Sequence, residues 1–292
     1  MLTRVQTEFT NATTNTRPAG ALSLCFTLAY VKTAAVRFFV VLAIALVSPH
    51  SFGQSRPPSK PASNFATLSA QANAARDTDR LDDALTLYRK ALALRPNWAE
   101  GWWSLGTIAY DRNSYSDASR AFQRVITLAP ANGTAYVMLG LSEFELGHDA
   151  LALKHLQKGM ALGLDKDPDL RRVALLDEGI LLQRAGRFQS ARDVLGQMCL
   201  QGMQNKDVEY VLGMTSLRQA NKTVPPAGSE DEQVTSGVGH AACLASQKKF
   251  EDARLFFNEL VNRYPKYPAI HYAFGVLLTE ASDLSAAVAE FK

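Results

Sequence analysis

The sequence is poor in cysteine, contains no apolar run long enough to cross a bilayer, and carries almost no net charge along its main body. Three cysteines are present, and Cys199 and Cys243 are the two that lie outside the N-terminal apolar stretch. They form neither a CxxC pair nor a metal-ligand spacing. We therefore expect both thiols to be buried as small apolar residues, with a disulfide only if the fold brings them together.

The charge balance argues against one class of partner. Net charge is +3, but all of it arises before Gln54; from that residue onward lysine plus arginine equals aspartate plus glutamate. A neutral body offers no electrostatic footprint for phosphate backbones. The sequence therefore argues against nucleic acid as a partner.

The apolar run Phe38–Val47 has the features of an export signal. It holds about ten residues, half of the roughly twenty that a membrane-spanning helix needs. Lys32 and Arg37 precede it, and small residues up to Gly53 follow it. This order predicts a secretory signal cut ahead of Gln54, and hence an exported protein, periplasmic or secreted. Anchoring by an uncleaved signal is the alternative.

Three segments follow from this interpretation. Residues 1–53 form the signal region, with Val31 favoured as the true start because residues 1–30 are too long and polar for an ordinary leader. Residues 54–64 are rich in proline and serine and predict a flexible linker. Residues 65–292 form the folded body, with an irregular loop expected at 220–233.

The body contains a repeat with a period of about 34 residues, the length of a helix-turn-helix unit. The recurring positions are Ala84, Ala118 and Ala152; Pro96 and Pro130; Tyr88 and Phe122; and Gly106 and Gly140. Small residues allow two helices to approach closely, the aromatic residues fill the space beside them, and Pro130 ends a helix because it lacks an amide donor.

Residues 99–132 resemble the tetratricopeptide repeat (TPR) family. Its signature positions are occupied by Trp102, Leu105, Gly106, Tyr115, Ala118, Phe122 and Pro130. The resemblance covers about residues 65–292 and implies an all-α fold, a right-handed superhelix of about six to seven helix-turn-helix units. Residues 207–218 resemble a first helix whose second helix is replaced by a loop, because Pro225 and Pro226 fall where that helix should be.

The last repeat starts at Pro268 and places Phe274, Val288 and Phe291 where a terminal repeat usually has a polar face. Either a longer chain or a partner protein is expected to cover this end. Self-association through the uncapped repeat is one form of this prediction.

No catalytic constellation, cofactor site or metal site is predicted. The segment from Gly237 to Ala242 matches a dinucleotide fingerprint in spacing, but it lacks the strand that must precede one, so we interpret it as small residues in a packed helix. His148 and His155 lie on helical segments and make no metal-ligand pattern with His240 or His271, so surface or loop roles are expected.

The resemblance places a ligand groove on the first helix of each unit. Its inward positions would be Glu100, Trp103, Thr107, Tyr110, Thr134, Val137, Leu141, Phe144, Leu176, Ile180, Gln183, Tyr210 and Met214. The apolar members predict the binding residues: Trp103, Tyr110, Val137, Leu141, Phe144, Leu176, Ile180, Tyr210 and Met214. The carboxylate clamp of chaperone-binding relatives is not expected, because only Asn73 matches it, while Ser69, Ser104, Thr134 and Met138 occupy its other positions.

These features predict a non-enzymatic scaffold of the cell envelope that binds a protein or peptide through an apolar groove. The alternative is a regulatory or accessory region of a larger enzyme or envelope assembly that continues beyond Lys292.

Overall fold

The structure is a computed structural model that describes residues 60–164, 167–220 and 224–292. Within these ranges the chain forms thirteen α-helices and no strand. The helices are α1 (Lys60–Asp77), α2 (Leu81–Leu94), α3 (Ala99–Asp111), α4 (Tyr115–Leu128), α5 (Gly133–Glu145), α6 (Asp149–Leu162), α7 (Pro168–Arg184), α8 (Phe188–Leu200), α9 (Lys206–Ser216), α10 (Glu230–Ser246), α11 (Phe250–Arg263), α12 (Pro268–Glu280) and α13 (Leu284–Glu290). The predicted signal, its cleavage at Gln54 and the start at Val31 lie outside the described residues.

The chain divides into two compact units, Met1–Asn113 and Ser114–Lys292. The described part of the first unit contains α1, α2 and α3. Ala72, Ala84 and Tyr88 are fully buried in the α1/α2 hairpin, and the Tyr88 hydroxyl donates to Asn73 Oδ1 over 2.7 Å. The prediction of a linker through residue 64 is wrong at its end, because α1 begins at Lys60. A proline such as Pro61 is tolerated in a first helical turn, whose amides have no partner within the helix.

The second unit begins with α4 and continues with the hairpin α5/α6, in which glycines allow close packing. A Cβ on Gly140 would lie 2.9 Å from Leu156 Cγ, and a Cβ on Gly159 would lie 2.6 Å from Val137 Cγ2. Asn132 caps α5 by accepting the amide of Ala135. Apolar side chains at helical spacing then bury one face of each helix against the other.

The hairpins α7/α8, α10/α11 and α12/α13 repeat this arrangement. Each turn that follows a first helix contains a residue with positive φ: Asp79, Asn113, Gly147, Gly186, Lys248 and Ser282. These residues lie at equivalent points of the repeat, so the chain reverses direction in the same way each time. The helix α9 also ends with a positive-φ residue, Arg218, and therefore terminates like a first helix.

The helix α9 has no second helix of the ordinary kind, and its partner is α10. A Cβ on Gly213 would lie 1.9 Å from the carbonyl oxygen of Thr235, and a Cβ on Gly239 would lie 1.7 Å from that of Glu209. The two backbones therefore approach to a distance that only glycine permits. Among the described residues, α9 also packs on α7 and α8.

The predicted loop at 220–233 is wrong for residues 230–233, which form the first turn of α10. Ser229 accepts the amide of Glu232 and caps the helix. The acidic residues Glu230, Asp231 and Glu232 stabilise this end because the helix dipole is positive there. Pro225 and Pro226 lie before the helix, so the loop separates α9 from α10 and does not replace the partner helix.

Cys199 and Cys243 form a disulfide, which corrects the expectation of two separate buried thiols. Their Cα atoms are 5.5 Å apart, and both residues are almost completely buried. The bond joins α8 to α10 and encloses α9. Sequence alone left the pairing open because the partners are 44 residues apart and the path between them is irregular.

The helix α12 returns to the vicinity of α8. Arg192 on α8 forms an ion pair with Glu280 at the end of α12, and Arg218 Nη1 donates to Tyr272 Oη over 2.9 Å. The guanidinium of Arg218 also lies 5.5 Å from the ring centre of Phe188. These contacts fix the C-terminal helices to the middle of the second unit.

Candidate partner-binding face

The first helices of the second unit lie side by side. In the described residues α5 packs on α7, α7 on α9, α9 on α10, and α10 on α12. We call this surface the first-helix face, formed by α5, α7, α9, α10 and α12. The helix α9, which has no second helix of its own, lies between α7 and α10 and continues the face.

Most of the predicted binding residues are buried on this face. Val137, Leu141, Phe144, Leu176, Ile180 and Met214 are each at most 7% exposed, whereas Trp103, Tyr110 and Tyr210 are partly exposed. Trp103 and Tyr110 belong to the first unit, and the others belong to the second. Val137 packs against Gly159 inside its own hairpin, so its side chain is a core residue. Ligand binding by this set stays a prediction.

The predicted inward polar residues also differ in their exposure to solvent. Thr107 and Thr134 are partly exposed, Glu100 is exposed, and Gln183 is buried. The Gln183 side-chain amide donates to the carbonyl oxygen of Gln219, just after α9. Gln183 therefore links α7 to the residues that follow α9, and its side-chain amide is not free for a ligand.

Sequence reasoning missed a carboxyl at the centre of the face, Asp177 on α7. Asp177 lies two residues before Gly179, as Met138 lies two before Gly140, so the repeat register itself marks the position. Burial is the main cause that raises the pKa of Asp177 to about 8; the nearby Glu145 adds to the rise, and Arg184 opposes it. Asp177 therefore holds its proton at neutral pH.

Arg184 is already engaged by other groups. Its Nη1 lies 3.4 Å from Asp149 Oδ1, and its guanidinium lies 5.1 Å from the centre of the Phe144 ring. The only basic group that acts on Asp177 in the described structure is thus shared with another carboxylate and an aromatic ring.

The adjoining helix α9 adds two more desolvated groups. Burial raises the pKa of Asp207. Burial also raises the pKa of Tyr210 to about 12, with smaller contributions from Glu232 and Asp231. Tyr210 Oη is shielded from solvent and has no hydrogen-bond partner among the described residues. Buried polar atoms are normally paired, so this hydroxyl has an unused donor and acceptor.

Histidines join helices of the second unit in pairs with glutamate. His155 Nδ1 lies 2.6 Å from Glu143 Oε2 between α6 and α5, and both side chains are largely buried. His240 pairs with Glu209, and His271 pairs with Glu290. The expectation of surface or loop roles is therefore wrong for His155 and incomplete for the other two; these histidines tie neighbouring helices together.

The segment from Gly237 to Ala242 lies inside α10, which confirms its interpretation as part of a packed helix. A Cβ on Gly237 would lie 2.8 Å from Leu260 Cδ2, and Gly239 faces α9. No strand precedes it in the described ranges. In the same part of the chain, no group of three histidine, cysteine or acidic side chains is arranged for a metal ion. None of its helices combines the length and hydropathy needed to cross a membrane.

The residues at carboxylate-clamp positions in the first unit are used internally. Asn73 Oδ1 accepts from Tyr88, and Ser104 Oγ accepts from Arg76 over 3.2 Å. Both contacts use Asn73 and Ser104 as acceptors, and the absence of a carboxylate clamp stays a prediction.

Comparison with known families identifies the repeats. Models of the tetratricopeptide repeat match residues 69–118, 104–163 and 238–267. These segments of the chain are tetratricopeptide repeats. The third of them consists of the end of α10 and the hairpin with α11, on the C-terminal side of the irregular segment. The described residues are all-helical and consist mostly of helix hairpins, which confirms the fold class that the sequence predicted.

This chain is similar to known proteins over part of their length. The chain is 21% identical over 209 residues to a peroxisomal targeting signal receptor from Kluyveromyces lactis, covering 68% of this chain and 35% of the relative. It is 28% identical over 110 residues to the human protein O-mannosyl-transferase TMTC3, covering 38% of this chain and 12% of the relative. Among solved structures, the MamA protein aligns with a TM-score of 0.50 at 17% identity, covering 65% of this chain and 94% of MamA. The last likeness concerns the fold alone.

Proposed function

We propose that this protein is a non-enzymatic scaffold that binds a protein or peptide partner on the first-helix face. The continuous packing of α5, α7, α9, α10 and α12 carries this proposal, because it forms one extended surface. TPR proteins commonly act as interaction scaffolds, and one relative is a receptor for a targeting signal. Nucleic acid is not the expected partner, since the body has no net positive charge.

The proposal includes export to the periplasm or the outside of the cell. The signal-like order of residues 1–53 supports it, and so does the Cys199–Cys243 disulfide, because disulfides persist mainly in oxidising compartments. Cell fractionation with N-terminal sequencing tests this part. A mature chain that begins near Gln54 and contains the disulfide supports export; a cytoplasmic chain that keeps residues 1–53 and free thiols contradicts it.

Affinity capture from envelope extract tests binding, with the full chain as bait. The double variant Met138→Ala and Tyr210→Ala removes two partly exposed apolar side chains from helices of the first-helix face, one on α5 and one on α9. Truncating an aromatic anchor typically costs about 2 kcal/mol of affinity or more. The matched control is Leu255→Ala, because Leu255 is 69% exposed on the second helix α11, away from the face. Partners that the double variant loses and the control retains support the proposal, and equal retention by both contradicts it.

A second candidate function is an accessory region of a larger enzyme or envelope assembly. The match to 12% of a much longer transferase favours it. The reading frame beyond Lys292 distinguishes the two: a catalytic domain there supports the accessory role.

Self-association through α13 is a further proposed contact. Leu284, Val288 and Phe291 are each at least 50% exposed. Sedimentation of the full chain and of Val288→Glu tests it, since a dimer that the charge disrupts supports the contact and a monomer in both contradicts it.

A further inference from the structure

The four C-terminal helices share a hydrophobic core of their own. Its buried members belong to α10, α11, α12 and α13, and among the described residues only Leu217 comes from ahead of α10. Phe257 of α11 and Phe274 of α12 stack within it, with ring centres 5.1 Å apart. The buried apolar residues of α9 lie outside this cluster: Val208, Val211, Leu212 and Met214. We call α10–α13 the C-terminal block; its contact with α8 and α9 lies outside the core that its helices share.

Glycines and polar groups supply contacts between the C-terminal block and the helices before it. Glycine backbones face each other where α9 meets α10, and a Cβ on Gly196 of α8 would lie 2.7 Å from Ser246 Oγ of α10. Gln247 Nε2, just after α10, donates to the carbonyl oxygen of Cys199 over 3.2 Å. Such contacts bury little apolar area, so they hold the block less firmly than a shared core would.

The unpaired buried polar atoms of the described residues lie on both sides of this contact. Tyr210 Oη and Ser216 Oγ belong to α9, and Thr235 Oγ1 belongs to α10. Thr235 lies at the contact itself, since its carbonyl oxygen is the atom nearest to a Cβ on Gly213. Water that enters between α9 and α10 can bond such atoms, so their hydration favours separation of the two helices.

The disulfide opposes this separation covalently. Cys199 belongs to α8 and Cys243 to the C-terminal block, with Cα atoms 5.5 Å apart. A disulfide cannot bridge Cα atoms more than about 7 Å apart, so the intact bond keeps the block against α8. The rest of the chain connection is the segment 217–229, which joins α9 to α10.

We propose that the Cys199–Cys243 bond is a redox switch for docking of the C-terminal block. With the bond intact, the block stays docked on α8 and α9. With two thiols in its place, the block detaches from α9 as one body that keeps its own core. The state of this contact therefore follows the thiol–disulfide balance of the compartment.

The reductant is a dithiol, which supplies two electrons and two protons. One of its thiolates attacks the sulfur of one cysteine and displaces the other cysteine as a thiolate, which takes up a proton. The second thiol of the reductant then attacks the mixed disulfide, so the reductant leaves as a cyclic disulfide and both cysteines are thiols. Cys199 is 1% exposed and Cys243 is 2% exposed, so attack takes place when the contact opens transiently.

Detachment also changes the first-helix face, because α9 and α10 are neighbours on it. Reduction should divide the face between these two helices. This consequence rests on the proposed function, whereas the switch itself does not.

Hydrogen exchange measured by mass spectrometry tests the switch on the full chain, before and after incubation with dithiothreitol. Alkylation of the peptides that contain Cys199 and Cys243 verifies each thiol state. After reduction, the amides of α9 should exchange at least about tenfold faster, because a helix of 11 residues loses the neighbour against which its backbone packs. Amides of α11, α12 and the hairpin α5/α6 should keep their rates.

The double variant Cys199→Ala and Cys243→Ala is the control for the reductant. Its α9 amides should exchange rapidly both with and without dithiothreitol. A response of this variant to dithiothreitol would show that the reductant acts at another place and would overturn the assignment to this bond.

Two further results would overturn the switch. Unchanged exchange of α9 in reduced wild-type protein would show that the bond does not control docking. Equal acceleration in α9, α11 and α12 would show that the C-terminal block unfolds and does not detach as one body. Neither result bears on partner binding by the oxidised protein, which affinity capture tests separately.

Discussion

The second unit contains a regular region, the hairpin α5/α6, and an irregular one, the helices α9 and α10 with the loop between them. In the regular hairpin, a Cβ on Gly140 would lie 2.9 Å from Leu156 Cγ, and the closest approach to a backbone carbonyl oxygen lies at the end of the hairpin, where a Cβ on Gly133 would lie 2.0 Å from Gly163 O. In the irregular pair, a Cβ on Gly213 or Gly239 would lie less than 2 Å from a backbone carbonyl oxygen in the middle of the two helices. Repetition of a common sequence pattern stabilises the first region, whereas specific contacts are needed for the second.

The irregular region also contains every buried side-chain polar atom that lacks a partner in the described residues: Tyr210 Oη, Ser216 Oγ, Gln219 Oε1 and Thr235 Oγ1. Such atoms cost about 1–3 kcal/mol each when they are desolvated without a hydrogen bond. The disulfide, the glycine contacts and the ion pair of Arg192 with Glu280 are all found around this region. We infer that they offset this cost.

Removal of the disulfide should lower the free energy of unfolding more than any other change to the irregular region. The double variant Cys199→Ala and Cys243→Ala opens a loop of 44 residues, which should lower the free energy of unfolding by about 4 kcal/mol in the chain-entropy description. Urea denaturation measures it. Wild-type protein unfolded in the presence of a reductant should show the same loss, and a stability that neither change affects would contradict the role of the bond.

Gly239→Ala should have the next largest effect and lower the free energy of unfolding by about 3 kcal/mol, because the new Cβ must push α9 away at a backbone contact. Gly237→Ala in the same helix is the control, since its Cβ meets only the movable side chain of Leu260. Gly140→Ala should lower the free energy of unfolding less than Gly239→Ala, because the helix propensity of alanine, about 1 kcal/mol better than glycine, partly offsets its contact with Leu156. Equal losses at Gly239 and Gly140 would remove the distinction between the two regions.

Asp177→Asn should stabilise the protein at high pH. The folded-state pKa of Asp177 is raised from 3.8 to about 8, so between these values the folded state keeps a proton that the unfolded state releases. Stability from this group is therefore lost as pH rises through that window. The variant should gain about 1–3 kcal/mol at pH 8 and almost nothing at pH 4, as thermal unfolding at both pH values measures. A gain that is the same at both pH values would contradict the shift.

Thr235→Val should have the smallest effect and raise the free energy of unfolding by up to about 1 kcal/mol. Valine has nearly the size of threonine but lacks its hydroxyl, which is buried and unpaired at this position. Thr215→Val is the paired control. The Thr215 hydroxyl is also buried but donates to the carbonyl oxygen of Val211 over 2.7 Å, so its removal should not stabilise. Denaturation curves in which both variants gain equally would show that the missing hydrogen bond is irrelevant.

The regular region could be predicted from sequence because its signals are local. Gly106, Gly140 and Gly179 give the register, and Asn113 and Gly147 lie where the turns require positive φ. The partner of α9 could not be found in this way, since it begins after a loop whose prolines only exclude a helix locally. The disulfide depends on the position of α10, so the sequence could not predict the Cys199–Cys243 pairing for the same reason.

The candidate site was predicted in part. The repeat register placed Leu141, Ile180 and Met214 on the first helices, and the structure has them there. Their burial depends on how closely neighbouring first helices pack, which a single sequence does not encode in any local pattern. Asp177 was within reach, because the register that identified Met138 also marks it, but its desolvation required the neighbouring helices.

Photo-crosslinking tests the central claim, binding on the first-helix face, most directly. A photoreactive phenylalanine derivative placed at position 210 on α9, or at position 255 on α11, reports which surface touches a partner in envelope extract. We expect a discrete crosslinked product from position 210 and none from position 255. Crosslinks from position 255 alone would show that the partner binds the second helices and not the first-helix face.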